Sequence, residues 1–349
     1  MLLSKVETLY RWLCLLLLAT AAGCAERSFE DAFSEYHERL SRTLSVDTTE
    51  IKPIDIAALP PSRELTLDIK GSDIDVLDFL SLTGCELQVT IGKRNSSLGR
   101  LASASQRLLL ELEYLKLAPE CIDYLESDGK QELASTLQDA WDDKRAQLPS
   151  LIYNATLASP EFRQFWKTPT SVGDYPANTG SSVLNSMAAL NDSVRRWLSD
   201  DFAADNLTVE LLLSDILKGD GGALRLALAK QSLALDVANE ILDARLARGP
   251  LCTPPLRPQS ADILDTVIEK FFIVGTQPRA AALNRRYHDL QPAIAELEGL
   301  VADVLPPIYL SWQQQRDAEL SLWIKAPRMH VDRIIAIQKP CKAGEQIGS

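Results

Sequence analysis

The sequence contains few of the residue patterns that mark metal sites. Its three histidines, His37, His288 and His330, lie far apart, and none belongs to an H-E-x-x-H motif. No Cys-x-x-Cys spacing occurs, which argues against a structural zinc site. We therefore expect no metal ion, and we interpret the histidines as surface or packing residues.

Motifs of nucleotide binding and nucleophilic catalysis are also missing. The sequence has no G-x-S-x-G, and Gly219–Gly222 lacks the spacing of a phosphate-binding loop. Ser127–Lys130 matches S-x-x-K, but Gly129 indicates a turn and the partner motifs are absent. The acidic pairs Asp142-Asp143 and Asp200-Asp201 are typical of solvated helix ends. These observations predict no catalytic residues and no cofactor.

The chain has no excess of basic charge, since its formal net charge is −12. Lys5, Arg11 and Glu7 give residues 1–24 a net charge of +1, so the remainder carries −13. Nucleic acids and anionic lipids attract basic surfaces, and we therefore expect neither to bind nonspecifically. No nucleic-acid partner is predicted.

An apolar run occupies residues 12–23 and is followed by Cys24. It is shorter than the roughly 20 residues that span a bilayer, and its charged start and small-residue end are typical of an export signal. The ending Ala22-Gly23-Cys24 resembles the lipobox of bacterial lipoproteins, in which the cysteine is acylated. We predict a lipoprotein signal peptide over 1–24 and a single periplasmic helical domain over 25–349. A plain signal peptide or an uncleaved anchor is the alternative.

Four of the six cysteines lie beyond the predicted signal, namely Cys85, Cys121, Cys252 and Cys341. An even number in an exported protein favours two disulfides, and four cysteines permit three pairings. We predict Cys85 with Cys121 and Cys252 with Cys341, because each pair brackets one plausible helical unit. Buried free thiols are the alternative.

Apolar residues recur mainly at helical spacing, as in Phe29, Phe33, Tyr36, Leu40 and Leu44. The pattern predicts helices near 28–44, 72–80, 85–95, 100–118, 130–147, 181–198, 207–217, 222–247, 260–274, 278–304, 309–325 and 329–338. Residues 65–69 alternate and could form a short strand. Residues 85–95 are ambiguous, because 88–91 have the composition of a strand, and the helix-rich context favours a helix there. Residues 51–63, 167–180 and 249–258 are rich in turn residues. The predicted fold class is all-α, an irregular multi-helix bundle with at most one short strand or hairpin.

One polar segment, Lys93–Arg100, lies between two apolar stretches. Arg94, Asn95 and Ser96 could form an interaction site for a ligand or partner. The structural interpretation, which we favour, is a helix junction in which Ser96 or Ser97 caps the next helix. Arg94 would then be buried against a carboxylate.

Several motifs stand together in order along the chain. They are Pro60–Leu65, Asp78–Leu82, Cys85–Gln88, Arg94–Gly99, Ser105–Leu108, Trp312–Ala318, His330-Val331 and Pro340-Cys341. As a set they resemble a family of proteobacterial envelope lipoproteins, the domain-of-unknown-function 3080 family. The resemblance implies a lipoprotein whose activity is unknown, and it assigns no catalytic residues.

These observations favour a noncatalytic function. We expect a structural or interaction role at the periplasmic face of the outer membrane. An Asp directly after the acylated cysteine is the usual signal for retention in the inner membrane, so Ala25 at that position favours the outer membrane. The acyl chains on Cys24 would hold the domain at the membrane, and an envelope protein would be the partner. An envelope hydrolase or a carrier of an apolar ligand is the competing hypothesis.

Overall fold

A computed structural model describes residues 29–50, 53–70, 82–177, 179–253 and 255–342. Within these ranges the fold is all-α, as predicted, with a single isolated bridge between Thr253 and Leu256 in place of any sheet. The predicted signal peptide, Cys24 and the helix expected over 72–80 lie outside the described residues. No helix in the described ranges combines the length and apolar composition needed to span a bilayer.

The helices follow one another along the whole described chain. They are α1 Phe29–Leu44, α2 Ser62–Leu65, α3 Leu87–Asn95, α4 Ser97–Arg100, α5 Ala104–Ser127, α6 Gln131–Ala155, α7 Pro160–Phe165, α8 Ser182–Leu198, α9 Asn206–Leu217, α10 Gly221–Leu246, α11 Gln259–Val267, α12 Gln277–Leu300 and α13 Pro307–Lys342. A π-helix, Ile268–Ile273, continues α11, and a 3₁₀ turn, Ala302–Val304, follows α12. The predicted helices 28–44, 85–95, 181–198, 207–217 and 222–247 agree with these bounds to within two residues. The short helices α2, α4 and α7 were not predicted.

The strand predicted over 65–69 is wrong. Residues 66–70 have no regular secondary structure, and the backbone of Leu67 instead bonds to the side chain of Asn154 on α6. The Leu67 amide donates to Asn154 Oδ1, and Asn154 Nδ2 donates to the Leu67 carbonyl, both at 2.9 Å. A side-chain amide thus satisfies the backbone groups that a neighbouring strand would otherwise pair with.

The helix ends predicted near prolines are also wrong. Residues 309–325 and 329–338 were expected to be two helices, yet α13 continues through Pro327, and α5 and α6 continue past Pro119 and Pro149. A proline inside a helix costs about 3 kcal/mol. In α13 the residues around Pro327 are buried, including Trp323 and Ile334, and the helix packs along α10. We infer that this packing offsets the lost hydrogen bond.

Buried apolar side chains form three clusters. A central cluster, around Phe162, Trp197 and Leu228, joins α5 to α10 with α12 and the start of α13. A second cluster includes Tyr36 and joins α1, the C-terminal half of α10, α11, the π-helix and the end of α13. A third cluster, around Leu125, joins α3, α5 and the start of α6. Each amphipathic helix therefore buries its apolar face against a neighbour.

Two disulfides reinforce the outer clusters. Cys85 is bonded to Cys121 of α5, with the Cα atoms 5.5 Å apart. Cys252 is bonded to Cys341 at the end of α13, with the Cα atoms 4.9 Å apart. These are the two pairs predicted from the sequence. The second bond holds the connector after α10 against the C-terminal turn of the last helix.

Candidate functional site

A cleft of about 610 Å³ opens between α1, α10 and the segment that follows α1. We call it the His37 cleft. Its lining combines charged, hydroxyl-bearing and apolar side chains: Glu30, Phe33, Ser34, His37, Glu38, Ser41, Arg42, Thr48, Thr49, Ile54, Lys230 and Ala234. Helical spacing along α1 places seven of these residues on one side of that helix.

The charged side chains of the cleft are paired with one another. Lys230 Nζ lies 2.5 Å from Glu30 Oε1, and this hydrogen bond holds the pKa of Glu30 below its ordinary value. Arg42 forms an ion pair with Glu38 one turn earlier on α1. These four residues therefore neutralise each other's charge at neutral pH.

His37 connects the two helices that form the cleft. Its Nε2 lies 2.7 Å from the Ala234 carbonyl oxygen of α10, and only 6% of the residue is exposed. A carbonyl oxygen can only accept a hydrogen bond, so Nε2 carries the ring proton. Burial lowers the pKa of His37, although the bond to Ala234 partly opposes this effect. The imidazole is therefore neutral at pH 7.

A buried hydrogen-bond chain lies beside this cleft. Tyr36 Oη is 2.8 Å from His330 Nε2, and His330 Nδ1 is 2.7 Å from Asn239 Oδ1. Because the amide oxygen accepts, Nδ1 carries the proton and Nε2 accepts from the tyrosine hydroxyl. Burial lowers the pKa of His330 to about 3. The chain links α1, α10 and α13, and Phe272 of the π-helix packs edge-on against His330.

A second polar cluster lies inside the protein around Arg316. Its guanidinium lies 5.1 Å from the ring centroid of Trp166 and 4.9 Å from that of Trp312, and the two rings contact each other edge to face. Arg316 Nη1 and Nη2 donate to the two oxygens of Glu298 at 2.6 and 3.0 Å. Tyr309 donates to the same carboxylate at 2.7 Å. We call these five residues the Arg316 cluster.

The Arg316 cluster leaves no room for a ligand. The void beside it measures about 10 Å³, which is too small for more than one water molecule. Arg225, next to Trp312, is likewise occupied by Glu319 Oε2 at 2.7 Å and the Ala57 carbonyl at 2.8 Å. The Arg316 cluster therefore joins α12 to α13 as part of the core, and Arg225 of α10 packs beside it.

The predicted polar junction brings Arg94 against a carboxylate, but only the carboxylate is buried, and the Arg94 side chain is 28% exposed. Arg94 Nε lies 2.7 Å from Glu111 Oε1, and Lys144 Nζ lies 2.6 Å from Glu111 Oε2. Ser96 Oγ accepts the Gly99 amide at 3.0 Å and so caps α4. Asn95 is exposed, and its backbone carbonyl accepts from the side chain of Arg100.

Metal-ligating side chains do not gather anywhere in the part of the chain that the structure covers, since no group of three or more His, Cys, Asp or Glu residues could hold an ion there. The acidic pair at 200 and 201 is engaged by arginines: Asp200 pairs with Arg145 and Asp201 with Arg196. His288, the third histidine, is exposed on α12.

A family model described as a protein of unknown function, DUF3080, matches residues 33–331. The chain belongs to the DUF3080 family. No curated protein and no solved structure matches it. In this DUF3080 protein the match covers the Arg316 cluster and every residue that lines the His37 cleft except Glu30.

Sequence reasoning did not identify the residues that build these two sites. Glu298 and Arg316 were not singled out as a pair, although the Trp312–Ala318 motif contains Arg316. His37 was interpreted as a packing or surface residue, and its burial agrees with the first of these. The sequence did not predict its hydrogen bond to the Ala234 carbonyl. A tertiary contact between distant helices leaves no periodic signal in a single sequence.

Proposed function

We propose that this DUF3080 protein is a noncatalytic binding domain of the bacterial cell envelope, held at the periplasmic face of the outer membrane by acyl chains on Cys24. The sequence of residues 12–24 supports the anchor, and Ala25 favours the outer membrane. The His37 cleft is the surface at which we expect an envelope partner to bind.

The pairing of charges in the His37 cleft is the observation that carries the noncatalytic assignment. A hydrolase needs a base in contact with a nucleophile, or a carboxylate whose pKa is shifted toward neutrality. Here Glu30 has a lowered pKa and is paired with Lys230, and His37 donates to a backbone carbonyl. These groups are arranged to present hydrogen bonds rather than to transfer protons.

The open shape of the cleft also bears on the competing hypothesis of an apolar carrier. A carrier encloses its ligand in a mainly apolar cavity. The His37 cleft places Phe33 and Ile54 among charged and hydroxyl side chains, which suits a partner with both polar and apolar groups. A peptide segment of another envelope protein has this mixed chemistry.

Site-specific photo-crosslinking in cells tests the binding role. A photoreactive amino acid replaces Ser34 or Ser41 in the cleft, and Ser135, exposed on α6, serves as the control position. We expect one defined crosslinked species from the cleft positions and none from position 135. The same products from all three positions, or none from the cleft, would contradict the proposal.

The anchor is tested separately by metabolic labelling with an alkyne analogue of palmitate. The wild-type chain should be labelled and should sediment with outer membranes. Cys24→Ser should abolish the label and either release the domain or leave an unprocessed precursor. A wild-type protein that takes up no label would refute the anchor while leaving the crosslinking result intact.

A further inference from the structure

Two leucines project into solvent at the turn between α3 and α5. Leu98 is 84% exposed and Leu101 is 85% exposed. They lie three residues apart around α4 and therefore on the same side of that short turn. Single exposed leucines are common on protein surfaces, whereas contiguous exposed apolar surface marks interaction sites, and this pair of leucines forms a small apolar tip. We call residues 96–101 the Leu98 corner.

The backbone of the Leu98 corner is tightly built. Ser96 Oγ caps α4 by accepting the Gly99 amide, and Arg100 Nε donates to the Asn95 carbonyl at 3.0 Å. A Cβ atom on Gly99 would lie 2.2 Å from the Lys93 carbonyl oxygen, so only glycine permits α4 to approach the end of α3. The leucines are therefore held outward by a fixed turn and not by a loose loop.

Basic residues flank this apolar tip along the sequence. The stretch Leu87–Leu110 contains no Asp or Glu, although the whole chain has a net charge of −12. Its four basic residues are Lys93, Arg94, Arg100 and Arg107. Among the described residues, Glu113 and Glu111 pair with the first two, whereas Arg100 and Arg107 form no ion pair.

The combination of an apolar tip and basic flanks has a specific complement. At an anionic bilayer surface, arginine can bind the phosphate groups and leucine can enter the boundary of the hydrocarbon region. The aliphatic part of a long basic side chain lies against apolar groups while its charged end reaches the headgroups. The chain as a whole carries a net charge of −12, which such a bilayer repels. The absence of acidic residues from Leu87–Leu110 relieves this repulsion at the corner.

We propose that the Leu98 corner docks the domain onto an anionic phospholipid surface, with Leu98 and Leu101 entering the headgroup boundary and Arg100 and Arg107 contacting phosphates. This inference rests on the proposed acyl anchor, which would keep the corner near a bilayer. Docking at a second point would fix the orientation of the domain and hence the direction in which the His37 cleft faces.

The test uses the acylated full-length chain after its processing, reconstituted into vesicles of phosphatidylethanolamine and phosphatidylglycerol. Leu98→Cys introduces the one free thiol, because Cys24 is acylated under the proposed function and the other four cysteines form disulfides. An environment-sensitive NBD dye on this thiol is quenched by dithionite added to the outside. Leu322→Cys, at a 58% exposed position on α13, is the matched control.

We expect dithionite to quench the dye at position 98 about tenfold more slowly than the dye at position 322, the factor expected from burial of one leucine-sized group. The protection should disappear in phosphatidylcholine vesicles and at high salt, which screens exposed charges. Equal quenching at the two positions in anionic vesicles, or protection at position 322 alone, would overturn the proposal.

A charge variant supplies the second arm. Arg107→Gln should reduce the protection at position 98 about fivefold, the effect of one basic residue near an anionic surface. Arg328→Gln, at an 80% exposed side chain on α13, should leave it unchanged. If Arg107→Gln and Arg328→Gln reduced the dithionite protection at position 98 equally, docking through the Leu98 corner would be refuted. A chain that takes up no palmitate label refutes the anchor, whereas an anchored chain without protection refutes only the docking.

Discussion

Glu298→Gln tests how the Arg316 cluster contributes to stability. Glu298 is 4% exposed and accepts from both Nη atoms of Arg316, from Tyr309 and from Gln313. The substitution preserves the shape of the side chain but removes its charge. Among the described residues, the ion-pair partner that would remain for Arg316, itself 1% exposed, is the half-exposed Asp317.

The expected cost is large because the guanidinium stays charged. Removing one partner of a buried ion pair typically costs about 3–5 kcal/mol. At about 2 cal/mol/K of unfolding entropy per residue, this loss lowers the Tm of a chain of this size by about 4–7 °C. Differential scanning calorimetry at pH 7 measures the Tm, and urea denaturation at the same pH measures the free energy of unfolding. The matched control is Arg195→Gln, which removes an exposed ion pair with Glu296 and should cost about 1 kcal/mol or less.

A double-mutant cycle decides whether the pair itself is responsible. Arg316→Met should also destabilise, because it leaves the Glu298 carboxylate buried without its main partner. The double variant should lose about 1–3 kcal/mol less than the sum of the single losses. A Glu298→Gln variant as stable as the Arg195→Gln control, or strictly additive losses, would refute the reasoning.

Three further predictions concern other parts of the structure. Replacing Cys252 and Cys341 together by serine should lower the free energy of unfolding by about 2–4 kcal/mol, because a long loop is no longer closed in the unfolded chain; chemical denaturation tests this. Arg94→Ala should cost about 1 kcal/mol in the same assay, since Glu111 retains its lysine partner; a loss of 3 kcal/mol would contradict this. Below its ordinary pKa of about 6.5, His330 is protonated in the unfolded state but not in the folded state, whose pKa is about 3. As the pH is lowered from about 6.5 toward 3, the free energy of unfolding should therefore decrease, by at most about 1.4 kcal/mol per pH unit. The His330→Gln variant should show a smaller decrease over the same pH range.

Local sequence determined most of the helices and the two disulfides. A period of three to four residues is a property of one segment, and α1 shows it directly, since Phe33, Tyr36 and Leu40 are all buried. Acidic residues in its first turn and Arg42 in its last agree with the helix dipole, and Ser45, with φ of 53°, ends it. The cysteine pairs could be predicted because each brackets a helical unit that the same periodicity outlines.

Tertiary structure decided where helices continue and which polar residues meet. Pro327 is a helix breaker by local rules, but packing of α13 against α10 keeps the helix continuous. Residues 65–69 alternate between apolar and polar side chains as a strand does, yet the Leu67 backbone bonds to the Asn154 side chain of α6 and not to a neighbouring strand. The contacts of His37 with Ala234 and of Arg316 with Trp166 join residues on separate helices. Their free energy comes from burial and hydrogen bonding between faces that meet only after the helices pack, so no pattern within one segment specifies them.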